Sequence, residues 1–263
     1  MKTIFYLVIF TSIFLIYGCN NKVDFTDSFM EMNKPDYLLK DSVFWNENES
    51  LHFKCFSSKK VDNEIVTDIL DNQEKNIIHI SKLMQIDNID TLSKINIWVF
   101  KNDNEKYLKT QVKSNAHCLT EYWSVYYNKG NATGAHEVGH LMSQYFWGYT
   151  KNDKYDFLLN EGFAFYVDEA LFYKIDFYKK AKKLLQQEKY KISNIVKHNN
   201  NEDYRDKAFV CGAFDKYLIE IYGINKFSKL WISDDDDIIF NSIYDKSLKE
   251  LEDEFYDFIK KLN

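Results

Sequence analysis

GAHEVGHLMSQYFWG, residues 134–148, is the stretch on which the reading of this chain turns. Two histidines, His136 and His140, stand four positions apart, with Glu137 directly after the first. In a helix of 3.6 residues per turn the two share one face, with β-carbons about 6 Å apart. Imidazoles so placed can meet one tetrahedral ion, because zinc–nitrogen bonds are about 2.0–2.1 Å long. Glu137 is turned about 100° from His136, so it borders that face without joining it, where a general base for a metal-held water has to stand. Gly139 costs a helix interior about 1 kcal/mol relative to alanine, which is sensible where the backbone packs closely against a neighbour. Taken alone, the stretch is equally an amphipathic helix that carries two histidines and no metal.

LLNEGFAFYVDEA, residues 158–170, separates these readings. Glu161 follows His140 by 21 positions, enough chain to leave one helix, turn between Trp147 and Asp156 and return on a second. A carboxylate there completes a set of two histidines and one glutamate, with a fourth position open to water. HEVGH followed by LNEGFAFYVDE resembles the gluzincin metallopeptidases, particularly the aminopeptidase-N-like and peptidase-MA-like domains. The resemblance implies a thermolysin-like catalytic fold, one zinc ion on His136, His140 and Glu161, and hydrolysis of a peptide or protein substrate. Zinc then polarises the scissile carbonyl, while Glu137 removes the water's proton and passes it to the leaving amine.

The likeness runs over residues 94–262, strongest at the two motifs, and DKAFVCGAFDKYLIEIYGINKFSKLW (206–231) continues it with a glycine-containing helix and a Tyr222-Gly223 end. Two departures accompany it. Family members often carry a tyrosine three residues before the helix glycine, where its hydroxyl stabilises the oxyanion; aligned on Gly212, this chain has Phe209. A phenyl ring cannot donate, and loss of one such donor costs about 3 kcal/mol at the transition state. Tyr204, about a turn earlier, is the nearest substitute. Asp168 stands where the pattern usually has glutamate, and could still orient a zinc histidine from behind. No GxMEN-like motif for a free amine is present, so aminopeptidase and endopeptidase action both stay open, with a lean toward endopeptidase or short-peptide hydrolysis. A binding module that keeps fold and zinc but has lost turnover is the alternative. Phe209 favours it; Glu137 speaks against it, since a structural zinc site has no use for that glutamate.

The amino terminus, MKTIFYLVIFTSIFLIYGC, has one lysine and then a run of roughly 14 apolar residues, short of the about 20 that span a bilayer. Residues 1–18 therefore read as an export signal. Ile16-Tyr17-Gly18-Cys19 resembles a bacterial lipobox, which implies a lipidated Cys19 and a cell-envelope protein anchored to a membrane; a plain secretory signal is the alternative. Residues 19–48 read as lipidated cysteine and tether. The remaining Cys55, Cys118 and Cys211 have no CxxC spacing and read as small buried residues, although two could pair in an oxidising compartment. The formal charge of −6 and the lack of a Lys/Arg block exclude nucleic acid as a partner.

Residues 49–263 read as one α+β catalytic domain, with a mixed lobe over 49–132 and a helical lobe over 133–263. Strands are expected in LHFKCFSS (51–58, with Leu51, Phe53 and Cys55 on one face), in KINIWVF (94–100) and, once or twice, in AHCLTEYWSVYYN (116–128). Helices are expected over 63–85, clearest at Ile77, Ile78, Ile80, Leu83 and Met84, and over 133–147, 157–173, 175–188, 203–222, 224–232 and 246–262. His117 could line the cleft, although a surface or satisfied histidine is the simpler reading; His52, His79 and His198 have no metal spacing. Asp234 to Asp237 lacks the spaced ligands of a calcium loop and reads as a solvated turn. Tyr122-Trp123 and Tyr126-Tyr127 could stack on sugars or peptide side chains, but core packing explains most aromatics in a chain where they are 17% of residues.

Overall fold

Ile95, Ile97 and Val99 alternate with Asn96, Trp98 and Phe100, so β3 (Ile95–Phe100) has two faces that can be buried. It takes the centre of a five-stranded sheet ordered β1-β2-β3-β5-β4, with β1 at Trp45–Glu49, β2 at Phe53–Ser58, β4 at Ala116–Leu119 and β5 at Ser124–Asn128. β2, β3 and β5 are parallel, and β1 and β4 are antiparallel edges. A computed structural model describes residues 27–132, 134–168, 176–198, 202–233 and 238–262. The expected export signal, Cys19, the part of the expected 157–173 helix beyond Asp168, and Asp234 to Asp237 lie outside the described residues.

One face of the sheet carries Phe53, Cys55, Ile97, Val99, Val125 and Tyr127 into the main core. The helix α3 (Asn63–Met84) crosses between the parallel strands β2 and β3, and α5 (His136–Trp147) packs beside β4 and β5. The buried stripe of α3 runs through Val66, Ile69, Leu70, Gln73, Ile77, Ile80 and Met84, whereas Ile78 is exposed. That stripe is rotated from the expected one because Gln73 and Asn76 are buried polar residues. Gln73 donates to the Ala132 and Gly134 carbonyls at 2.6 and 2.9 Å, which a reading of apolar positions alone misses. Leu51 also departs from expectation: it precedes β2 and is exposed.

The other face, Phe56, Trp98, Phe100, Leu119 and Tyr126, is covered from the amino-terminal side by Leu38 and Trp45. Residues 27–48 are therefore not a free tether. They form α1 (Asp27–Asn33), α2 (Pro35–Leu39) and β1, because an aromatic sheet face needs a cover and Leu38 and Trp45 supply it. Asn33 fixes this segment: its amide donates to the Thr110 carbonyl at 3.0 Å and its own carbonyl accepts from the Tyr126 hydroxyl at 2.5 Å. A further short helix, α4 (Asp103–Thr110), follows β3, with the Asn102 side chain accepting from the Glu105 amide at its start.

The second half is helical: α6 (Gly162–Asp168), α7 (Phe177–Leu184), α8 (Ile192–Lys197), α9 (Tyr204–Tyr222), α10 (Ile224–Trp231), α11 (Ile239–Tyr244) and α12 (Leu248–Lys261). The fold is thus mixed α/β, with the sheet first and the helices after, compatible with the expected α+β class. α3, α5, α7, α9, α10 and α12 coincide with expected helices within a few residues, whereas α4, α8 and α11, at six to eight residues each, were not expected. No helix among the described residues is long and apolar enough to cross a membrane.

Candidate metal centre

Two close helix crossings set the geometry of the centre. At Gly139 a β-carbon would stand 2.6 Å from Val167 Cγ2, so α5 and α6 approach to a distance that only glycine allows. At Gly212 a β-carbon would stand 3.0 Å from the Gly162 carbonyl oxygen and 3.2 Å from the Tyr166 amide nitrogen, so α9 meets α6 backbone to backbone. The chain enters α6 through a π-helical turn, Phe157–Glu161, whose residues are all buried. Such turns are uncommon and concentrate at functional sites. This one carries Asn160 and Glu161 toward α5.

Nε2 of His136 lies 3.1 Å from Nε2 of His140. Glu161 Oε2 lies 3.6 Å from His136 Nε2, and Glu161 Oε1 lies 3.4 Å from His140 Nε2. Atoms placed tetrahedrally about 2.0–2.1 Å from a shared ion stand about 3.3–3.4 Å from each other. The observed separations bracket that value, and Glu161 Oε1 is buried without a hydrogen-bond partner. These three residues therefore fit a single metal ion. Glu161 is fully buried while the His136 side chain keeps 20% of its surface exposed, so the centre opens to solvent on the His136 side.

Each ligand is held from behind. Asn160 Oδ1 is 2.8 Å from His140 Nδ1, so a neutral imidazole donates its one proton there and would leave the Nε2 lone pair for a metal. Tyr204, at the start of α9, donates its hydroxyl to Glu161 Oε2. The His136 ring meets Phe165 edge-on at 5.3 Å. Asp168 does not act on an imidazole ring: its carboxylate accepts the Ala135 amide at 2.7 Å and also the His136 amide, capping the first turn of α5. It thereby fixes where the helix of the two histidines begins.

Charges in the cluster compete. Burial would raise the Glu161 carboxyl, but the two imidazoles and the Tyr204 hydroxyl hold it well down. Burial also opposes a charge on His140, yet Glu161 lifts it, whereas burial and the His140 charge push His136 down. One imidazole thus stays neutral and the carboxylate stays ionised, two of the forms a metal requires. Glu137 is 5% exposed, and one of its oxygens, Oε2, is buried with no hydrogen-bond partner. Burial, helped by Glu161 and Asp168 against His140 and Lys106, pushes its carboxyl up to about 7. That is the range of a general base working near neutrality.

His136, Glu137, His140, Glu161 and Tyr204 lie in one region of the fold, whereas Phe209 and His117 lie away from it, His117 as the hydrogen-bonded histidine of its simpler reading. Phe209 is fully buried in a ring stack with Phe165 at 5.8 Å and Phe177 at 5.3 Å, with Lys180 Nζ 3.1 Å over its face. It lies behind Phe165, itself behind His136, so a hydroxyl there would enter the core. His117 points to the opposite sheet face, stacked on Tyr126 at 4.4 Å with Nε2 3.3 Å from Asn33 Oδ1, because alternation along β4 sends its neighbours Ala116 and Cys118 to the α5 side. Cys118 is half-buried on that same side, its thiol pushed well up by burial and by Glu137, Glu121 and Glu161. Cys55, Cys118 and Cys211 are all free thiols. Asn160 was not singled out in the sequence, although a lone amide inside the apolar run around Glu161 is a signal that could have found it.

No family model matches this chain. No curated protein matches it either.

Proposed function

We propose that the protein is an exported zinc metallopeptidase of the gluzincin kind, with a thermolysin-like arrangement of sheet lobe, HExxH helix and helical lobe, held on a membrane through lipidated Cys19. The observation that carries this reading is the convergence of both histidine Nε2 atoms and the two Glu161 carboxylate oxygens, with contacts of 3.1–3.6 Å, beside the unpartnered Oε2 of Glu137. Two imidazoles and one carboxylate are a donor set suited to zinc, and the resemblance of HEVGH and LNEGFAFYVDE supports the same choice. When bound, zinc supplies Lewis acidity, polarising a carbonyl oxygen and acidifying a water.

The chain's own residues account for the remaining chemistry. Glu137 accepts a proton from the attacking water as its oxygen adds to the scissile carbonyl carbon. Glu137 then returns that proton to the amine nitrogen as the carbon–nitrogen bond breaks, so no net charge is left on the enzyme. Tyr204 is the hydroxyl donor nearest the centre and can turn from Glu161 toward the developing oxyanion. β4 is an edge strand beside α5, and an extended peptide can pair with its outer edge to present a backbone carbonyl to Glu137.

Metal analysis with peptide cleavage tests the proposal. The purified protein is expected to hold about one zinc per chain, to lose cleavage on chelation and to regain it with zinc. His140→Ala is expected to lose both metal and cleavage. A chain that folds, binds no zinc and cleaves nothing would overturn the reading.

A further inference from the structure

At the far end of α5 from the centre, four aromatic side chains gather on the surface. Tyr145 and Tyr149 are 51% and 54% exposed, and Phe146 is 37% exposed. Trp123 meets Tyr145 at 4.4 Å between ring centroids, and Tyr145 meets Phe146 edge-on at 5.1 Å. Solvent-facing rings usually move freely, but Trp123 and Tyr149 are tied down by hydrogen bonds. The Trp123 indole donates to the Ser93 carbonyl at 2.7 Å, the Tyr149 hydroxyl donates to Glu121 at 2.7 Å, and the Thr120 hydroxyl donates to Gln144 at 2.7 Å, which clips the Thr120–Tyr122 turn to α5. Trp123 itself sits at φ 49°, a left-handed conformation that a bulky residue rarely adopts.

The position of this platform relative to the centre gives it a use. β5 runs up to the loop before α5 and α5 runs back down, so the end of α5 returns to the start of β5, where Trp123 lies. β4 is antiparallel to β5, pairing Ala116 with Tyr127 and Leu119 with Ser124. Its free edge therefore leads from the level of His136 and Glu137 to the level of Trp123 and Tyr145. From His136 and His140 to Tyr145 is five to nine helix residues, about 8–14 Å at 1.5 Å each. An extended peptide covers that span in about two to four residues at 3.3 Å each.

We infer that Trp123, Tyr145, Phe146 and Tyr149 form a specificity site that takes an aromatic or large aliphatic side chain of the substrate, two to four residues from the bond cleaved at the metal centre. The inference rests on the peptidase reading and deepens it. Rings fixed by Ser93 and Glu121 need little further ordering to bind, so apolar contact there is retained as selectivity. The polar rim of Glu121, Thr120 and Gln144 leaves the peptide backbone hydrated. A strand-edge pairing sets the register between the side chain and the scissile bond, which makes the preference positional rather than general.

Cleavage of a ten-residue peptide library by the full chain, with every position varied, reads this directly. Wild type is expected to enrich Phe, Tyr, Trp or Leu at one position two to four residues from the cut. The ratio of kcat/KM for Phe over Ala at that position is expected to fall at least about fivefold in Tyr145→Ser, an exposed position where folding is not at stake, and in Trp123→Ala, with partial recovery in Trp123→Phe. A library with no positional preference, or one unchanged in Tyr145→Ser, overturns the inference while leaving the peptidase intact. If nothing is cleaved the peptidase reading fails instead. The platform is then judged by fluorescence anisotropy of labelled Phe- and Ala-containing peptides on Glu137→Gln: tighter binding of the Phe peptide supports it, and equal binding overturns it. Stacking of a chito-oligosaccharide on Trp123, seen as an indole fluorescence shift with no response to either peptide, also overturns it.

Discussion

Asn160 Oδ1 lies 2.8 Å from Nδ1 of His140, and the residue that makes this contact is the neighbour of the third candidate ligand, Glu161. One turn of chain thus supplies a ligand and orients another. Loss of a partner behind a metal histidine typically weakens affinity about 10- to 100-fold. Asn160→Ala is expected to lose zinc affinity by that factor in a chelator competition while its circular dichroism stays native. Asn160→Asp, which still accepts from Nδ1, is expected to retain most of the affinity. Equal zinc affinity in wild type and Asn160→Ala would remove the orienting role.

Tyr204 stands beside Glu161, as the nearest substitute for the hydroxyl that Phe209 lacks, and Phe209 is buried behind Phe165. Tyr204→Phe is expected to lower kcat by about a hundredfold, the usual effect of removing one oxyanion donor, with zinc still bound. Phe209→Tyr is expected to bring no gain in rate and to lose stability, since its new hydroxyl would be buried among Phe165 and Phe177. Faster turnover in Phe209→Tyr would contradict this placement.

Gly139→Ala tests the crossing of α5 and α6. In an unpacked helix the change would stabilise by about 1 kcal/mol. Here the new methyl meets Val167 Cγ2 at 2.6 Å, so a loss of about 1–3 kcal/mol is expected in urea unfolding. Val167→Ala in the same chain should restore much of it. A neutral or stabilised single variant would mean that the helices stand further apart.

His52 gives the protein a pH dependence outside the metal centre. Its Nδ1 lies 2.6 Å from Glu74 and its Nε2 2.7 Å from Asp90, joining the residue before β2 to α3 and the Ile89–Thr91 turn. Burial alone would lower its pKa, but the hydrogen bonds and charges of the two carboxylates outweigh burial and raise it. A raised folded pKa stabilises fully below the unfolded value of about 6.5, and the contribution is lost as pH rises through the folded value. Glu74 goes the other way: burial opposes its charge, but hydrogen bonds from His52 and Ser50 lower its pKa, so its contribution is lost toward acid. Urea midpoints of the wild type are therefore expected to fall as pH rises above about 6.5, and those of His52→Gln to be flatter over the same range. Parallel profiles would dissociate the clamp from stability.

Much of the centre was legible because its residues follow local rules. Four-residue spacing puts His136 and His140 on one helical face, and Glu161 sits within reach of a returning helix. The strand from Ile95 and the helix from Asn63 were legible by periodicity. What escaped depends on contacts between distant segments. Nothing local says that Leu38 and Trp45 cover an aromatic sheet face, or that Asn33 closes that cover on Tyr126. Asp168 reads from sequence as a partner for an imidazole, and becomes a helix cap because its element enters beside Ala135. The position aligned with the family tyrosine is likewise set by a distant contact: the bare backbone at Gly212 faces α6, Phe209 is buried in the core, and the start of α9 brings Tyr204 to Glu161.

The central claim is that Glu137 moves the proton in peptide hydrolysis at this centre, and the comparison of wild type with Glu137→Gln on one peptide library, with free and blocked amino termini, tests it most directly. The amide has nearly the same shape but cannot accept that proton, so the account predicts equal zinc content in both proteins and cleavage at least about a thousandfold slower in the variant. Cleavage of blocked peptides would mark an endopeptidase. Equal cleavage by the two proteins, or full zinc occupancy with no cleavage by either, would contradict the account.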